Sequence, residues 1–199
     1  MDSLEERDVF VTSVNAMIDK WGFDGFDIDL EGQSLGFSDI HVQNPGDVRH
    51  QYLIQAIALI MKNHFEEHGE KLLLTMAPET AYVQGGLSNA SSKRGAYLPI
   101  IEAFKESIDM LNVQLYNSGS QFGLDGKIYN EGNADWILAM TEAVIQGFEC
   151  KDSLGTFSGL PAHKVGVGLP ACHSSDAVPH KEIEAALLYL IGELSLIHI

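Results

Sequence analysis

Phe23–Gly32 reads FDGFDIDLEG. Asp27, Asp29 and Glu31 stand at alternate positions. Side chains alternate along an extended strand, so these three share one face. Phe26, Ile28 and Leu30 occupy the other. Asp and Glu are poor strand formers, so a strand face lined with them needs a reason other than stability. Neighbouring carboxylates on such a face start about 7 Å apart at the backbone. At an effective dielectric of about 20 they repel by roughly 2 kcal/mol. That exceeds one pKa unit, about 1.4 kcal/mol, for each pair. One of the three is therefore expected to hold a proton near neutral pH. Glu31, last on the strand, is the expected donor to a leaving oxygen. A calcium-loop reading fails on the spacing.

The chain has 199 residues, 45% of them apolar, enough to bury a core. Its formal net charge of −16 argues against nucleic acid and anionic membranes as partners and is compatible with a neutral polysaccharide. No run of about 20 apolar residues offers a membrane span. Cys150 and Cys172 are the only cysteines and define neither a disulfide framework nor a zinc site, so the redox compartment stays open. Met1 is followed by a polar helix rather than a signal peptide.

Outward from the acidic strand, Ser3-Leu4-Glu5-Glu6 looks like a capping box opening a helix whose stripe is Phe10, Val14, Met17, Ile18 and Trp21. Gly22 ends it. After a loop over 32–46, Asp47 is placed to cap a second helix with Leu53, Ile57, Ile60, Met61 and Phe65 inward, stopped at Gly69. Strands are expected at Lys71–Pro78, Met110–Tyr116 and Val165–Pro170. Helices are expected at Tyr97–Phe104, Ala134–Phe148 and His180–Gly192. The fourth helix turns Ile137, Met140, Val144 and Ile145 inward, and the last is built on Ile183, Leu187, Leu190 and Ile191. Strands alternating with helices imply a parallel sheet under helices. The long loops, 32–46, 80–94, 117–132 and 171–179, follow strands, where such folds place their sites.

Strand faces separate the two parallel architectures. Leu111, Val113 and Leu115 lie opposite Asn112, Gln114 and Tyr116, and Val165, Val167 and Leu169 lie opposite Gly166 and Gly168. A doubly wound sheet has helices on both faces and near-continuous apolar strands. One apolar face and one polar or small face fits a barrel instead.

The acidic strand resembles the DxxDxDxE signature of glycoside hydrolase family 18, the chitinases, with Asp24, Asp27, Asp29 and Glu31 in its four places. LTMAPE at Leu74–Glu79 and NVQLYN at Asn112–Asn117 resemble the bacterial subfamily related to hevamine. The resemblance implies an α/β fold that is part of a TIM (β/α)8 barrel, about strands four to seven with their helices. It implies a partial catalytic domain over 1–193, inactive in isolation. LSLIHI, which matches the translation of a transposase end used in library preparation, reads as a non-native tail over 194–199.

By the same resemblance Glu31 is the general acid, Asp29 orients the N-acetyl group, and Asp27 is the inner partner of Asp29. Tyr116 bonds the acetamido carbonyl. Gln114, Asn117, Met76, Ala77 and Glu79 shape the reactive subsite. Asp24 lies off the acidic face by parity and is structural. Many relatives carry Met-x-Tyr-Asp where this chain has Gln114-Leu115-Tyr116-Asn117, one charge fewer. Trp136 is expected in the core, and Tyr82, Phe122 and Tyr129 are candidates to stack on sugar rings. The implied parent is a secreted chitinase that hydrolyses β-1,4 bonds between N-acetylglucosamine units by a retaining, substrate-assisted route with no cofactor or metal. The alternatives are an endo-β-N-acetylglucosaminidase acting on N-glycans, or a non-catalytic lectin. Oligomeric state, and endo against exo action, are left open.

Overall fold

The computed structural model describes residues 1–88, 93–170 and 177–194. Helix α1 (Leu4–Trp21) leads into β1 (Gly25–Ile28). Then come α2 (Val48–His68), β2 (Leu73–Met76), α3 (Leu98–Phe104) and β3 (Met110–Gln114). Two-residue strands β4 (Gln121–Phe122) and β5 (Ile128–Tyr129) precede α4 (Ala134–Gln146). Another short pair, β6 (Phe148–Glu149) and β7 (Thr156–Phe157), precedes β8 (Val165–Gly168) and α5 (His180–Leu194). The main sheet is parallel in the order β1-β2-β3-β8, with Ile28 opposite Met76 and Gln114 opposite Gly168. Gly25 lets β1 approach β2 closely: a Cβ there would sit 2.6 Å from the Leu73 carbonyl oxygen.

The faces of the sheet divide as expected. Leu74, Met76, Leu111, Val113 and Leu115 are buried, with Val165 and Val167 packed against them. Trp136 is fully buried among them and donates its indole N–H to the Leu115 carbonyl at 3.1 Å. The other face carries Asp27, Thr75, Asn112, Gln114 and the glycines of β8. That face is polar or small, and the packed one supplies the core.

Helix stripes shift at their ends. In α1 the buried residues are Val11 and Ile18, with Phe10 and Val14 half-buried, whereas Met17 and Trp21 are 50% and 64% exposed. The contact with α2 runs along Val11 and Ile18, so residues a turn to either side leave it. Phe65 in α2 and Ile191 in α5 are exposed for the same reason, while Ala186 and Leu190 carry the packing of α5. The capping box is only half formed. Ser3 accepts from the Glu6 N–H at 3.1 Å, but the Glu6 carboxylate takes the N–H of Asp2 at 2.7 Å. Phe148 leaves α4 for the β6–β7 hairpin, and Ile145 is only half-buried. Residues 195–199 lie outside the described residues.

The loop over 32–46 is not loose. Leu35, Phe37, Ile40 and Val42 are buried, and the loop is tied down by Asp47. The buried Asp47 carboxylate accepts from Arg49 Nη2 at 2.7 Å, Ser38 N at 2.7 Å and Ser38 Oγ at 2.9 Å, and caps α2 through Arg49 N at 2.9 Å. Arg49, above all, holds this carboxyl well below the usual carboxylate range. A depressed native pKa stabilises the fold above the unfolded value of about 3.9, and that contribution is lost as pH falls below it. Asp47→Asn is therefore expected to cost about 2 kcal/mol near neutral pH, because Arg49 and the Ser38 donors lose a buried, charged acceptor. The deficit should shrink below about pH 4, as denaturant midpoints at the two pH values will show.

Candidate active site

The carboxylates stand where β1, β2 and β3 end. The paired ladder of β1 stops at Ile28, short of the expected Glu31, yet Glu31 remains extended at φ −132°, ψ 164°. Beyond the ladder the strand ends are knit together. Ala77 N donates to Ile28 O at 3.0 Å and Gln114 N to Pro78 O at 2.8 Å. The buried Gln114 amide then reaches across: Nε2 lies 2.6 Å from Ala77 O, 3.1 Å from Asp29 Oδ1 and 3.4 Å from Glu31 Oε1. One β3 side chain thus holds the second and third carboxylates together. The first, Asp27, accepts a hydrogen bond from the Thr75 hydroxyl on β2. Asp24 is exposed and contributes its carbonyl, which accepts from Leu73 N at 2.9 Å, as fits a structural residue.

Burial and charge crowding act together on the cluster. The Asp29 carboxyl is pushed up, first by burial and then by Glu31 and Asp27, against the Gln114 hydrogen bond that pulls it down. Asp29 is the middle carboxylate of the three and feels a neighbour on each side. Glu79, at the end of β2, is also raised, by burial first and then by Glu31. Burial, Asp29, Glu31 and Glu79 in that order raise the Tyr116 hydroxyl, so it stays protonated and available as a donor. Asn117 has φ 57°, in the left-handed region that asparagine tolerates better than most residues.

Two residues expected to meet the substrate are buried instead. Met76 is fully buried, because it alternates with Thr75 and faces the helices rather than the carboxylates. Tyr82 is buried with its ring stacked on Tyr97, 6.4 Å between centroids, so it is core and not an exposed platform. Ala77 meets the site through its carbonyl. Phe122 and Tyr129 sit half-buried on the β4–β5 hairpin, where the Tyr129 hydroxyl donates to Asp125 Oδ2 at 3.1 Å. Cys150 is buried and free, its thiol pushed up to about 11 by burial; Cys172 lies outside the described residues.

Three contributors carried no signal of their own in the sequence. Thr75 holds Asp27. Glu131 accepts from Ser118 N at 2.7 Å and so anchors the loop beyond Asn117. Tyr97, fully buried at the start of α3, accepts from Leu30 N and lies 3.2 Å from Leu30 O and 3.3 Å from Ile28 O. It clamps the backbone between Asp29 and Glu31 where the ladder has ended. Tyr97→Phe leaves the Leu30 N–H without its partner, which costs about 1–3 kcal/mol. Loosening the strand end is expected to lower kcat about tenfold in the complete enzyme. KM for an oligosaccharide should hardly move, since the hydroxyl does not face the open side; steady-state kinetics separates the two.

A parallel sheet with helices on one face, and an acidic cluster at its C-terminal end, define a barrel hydrolase site. Residues 1–183 match the profile of Glycosyl hydrolases family 18, and the chain belongs to that family. It is 40% identical over 200 residues to Chitinase D of Niallia circulans, covering 98% of this chain and 37% of that protein. It is 40% identical over 196 residues to Chitinase Chi52 of Paenibacillus xylanexedens, covering 96% of this chain and 37% of that protein. Among solved structures it superposes on a family GH18 chitinase from Chromobacterium violaceum with a TM-score of 0.82 at 29% identity, covering 100% of this chain and 51% of that one. The chain thus spans well under half the length of those two curated relatives, and its sheet is a four-stranded arc of the family's TIM barrel.

Proposed function

We propose that the complete protein hydrolyses the β-1,4 bonds of chitin, with retention and with the substrate's own acetamido group as nucleophile. The observation that carries this is the Gln114 amide joining Asp29 and Glu31 at 3.1 and 3.4 Å, with Asp27 next along the same strand. Ordinary retaining glycosidases set a second carboxylate about 5 Å across the bond from the acid. Here the acids beside Glu31 are neighbours on its own strand, and Glu79 stands at the end of the adjoining one. The attacking atom must then come from the sugar.

Glu31 gives its proton to the glycosidic oxygen as that bond breaks. The acetamido carbonyl oxygen bonds the anomeric carbon on the opposite face, forming an oxazolinium ion. The Asp29 carboxylate accepts from the acetamido N–H and offsets the positive charge, while Tyr116 donates to the carbonyl side. Gln114, Asn117, Ala77 and Glu79 fix the ring. Water, deprotonated by Glu31, then opens the ring from the face the leaving group vacated, so configuration is retained. All the groups needed are side chains and substrate. The relatives named above are chitinases, and a polymeric substrate of this kind fits a protein that works outside the cell. No helix among the described residues is long and apolar enough to cross a membrane.

The test offers the complete enzyme chitin oligomers and a high-mannose glycopeptide in parallel. Shortened N-acetylglucosamine oligomers, with the glycopeptide untouched, support the proposal. Cleavage of the glycopeptide core alone overturns it in favour of an endo-β-N-acetylglucosaminidase. Binding of both without products points to a lectin.

A further inference from the structure

The far end of the sheet holds a second cluster, remote from the carboxylates and independent of the proposed activity. Asp19 lies in the last turn of α1, and His64 and His68 lie one turn apart at the end of α2. Residues four apart on a helix stack on one face, so both imidazoles project the same way, with ring centroids 4.5 Å apart. His68 Nε2 lies 3.2 Å from Asp19 Oδ1. Each of the three side chains offers a ligand atom, and these atoms all lie within 4.8 Å of one another. His64 Nδ1 is shielded from solvent yet has no hydrogen-bond partner. A buried polar atom left unpaired is unusual and calls for an explanation.

We propose that Asp19, His64 and His68 form a binding site for a divalent transition-metal ion of the zinc class, which ties the ends of α1 and α2 together. Two imidazoles and one carboxylate are a donor set that zinc accepts, with a water completing the tetrahedron. The electrostatics favour a cation. Both helices present their C-terminal ends here, each worth about half a negative charge. Asp24 and Glu70 line the same cleft of about 420 Å³, with Lys71 as the opposing cation. Lys71 is already engaged with Asp109. Such an ion would clamp the helices just beyond their last shared core contacts, Ile18 and Ile60. Trp21 and Phe65 are exposed at these same helix ends, so apolar packing does not close them.

The experiment strips the complete protein with a chelator and follows thermal unfolding with zinc, calcium or magnesium added, in wild type and in His64→Gln, His68→Gln and Asp19→Asn. Zinc is expected to raise the wild-type Tm by several degrees at a large excess over its Kd, while calcium and magnesium do nothing, because hard ions prefer oxygen donors. Each histidine change should weaken zinc binding by at least about tenfold, and Asp19→Asn by less. Cobalt(II) serves as a spectroscopic probe: a visible band characteristic of tetrahedral nitrogen and oxygen ligation should appear in wild type and vanish in His64→Gln. The proposal falls if zinc leaves the wild-type Tm unchanged, if the histidine variants respond as wild type does, or if calcium is as effective. The last result would show general neutralisation of an acidic protein. Should a variant fail to fold, the wild-type cobalt spectrum still decides, since a spectrum of oxygen ligands alone overturns the assignment.

Discussion

Glu31→Gln in the complete enzyme should lower the rate of chitin-oligomer cleavage by about 10²–10⁴-fold, the usual worth of a positioned general acid. Glutamine keeps the shape and a hydrogen-bonding carbonyl but has no proton of suitable acidity to give a leaving oxygen. Oligomer affinity, measured by calorimetry, should change little, because the Gln114 amide can still bond the new carbonyl. The substitution also removes a negative charge that raises Asp29 and Glu79. The apparent pKa of any residual activity should therefore move down. Retention of more than about a tenth of the wild-type rate would exclude Glu31 as the acid.

Asp29→Ala should cost about 10²–10³ in kcat, the range seen when one preorganised electrostatic partner of a transition state is removed. Asp29→Asn should cost less, since its side-chain carbonyl can still accept from the acetamido N–H, though without charge to set against the oxazolinium ion. The sign of the pH effect follows from the direction of the shift. A carboxyl raised above its ordinary value is protonated at a higher pH than a free aspartate. As pH falls through that raised value, the charged acceptor is lost and kcat falls with it. The acidic limb of the wild-type profile should lie above that of a free aspartate and be absent from Asp29→Asn. Because the carboxylates are coupled, the limb reports the cluster as a whole. An unchanged limb would show that another group governs it.

How much of this could be read in the chain follows a physical division. Alternation is a local property, so FDGFDIDLEG announced both the strand and its acidic face, and the polar side of β3 announced Gln114. Parallel order followed from strands and helices taking turns, and long loops after strands placed the site at their C-terminal ends. Parity also contained the correction for Met76: it alternates with Thr75, so whichever face held the one excluded the other. Tyr97 was not legible, because its role depends on α3 delivering a hydroxyl to a backbone 67 residues earlier. The hairpins β4–β5 and β6–β7 have strands of two residues, too short for a period to show. Helix ends such as Trp21 and Ile191 have the right spacing but lie beyond the stretch where another helix covers them. The His64–His68 pair could be seen as a helical repeat, but Asp19 joins it only through the packing of α1 on α2.

The central claim, that the substrate's acetamido group does the attacking beside Asp29 and Glu31, is tested most directly by proton NMR of the first products from a chitin oligomer cleaved by the complete enzyme. The new reducing end should appear as the β-anomer before mutarotation, and the matching glucose oligomer, which lacks the acetamido group, should not be cleaved. An α-anomer at first appearance, or equal cleavage of the glucose oligomer, would contradict the account.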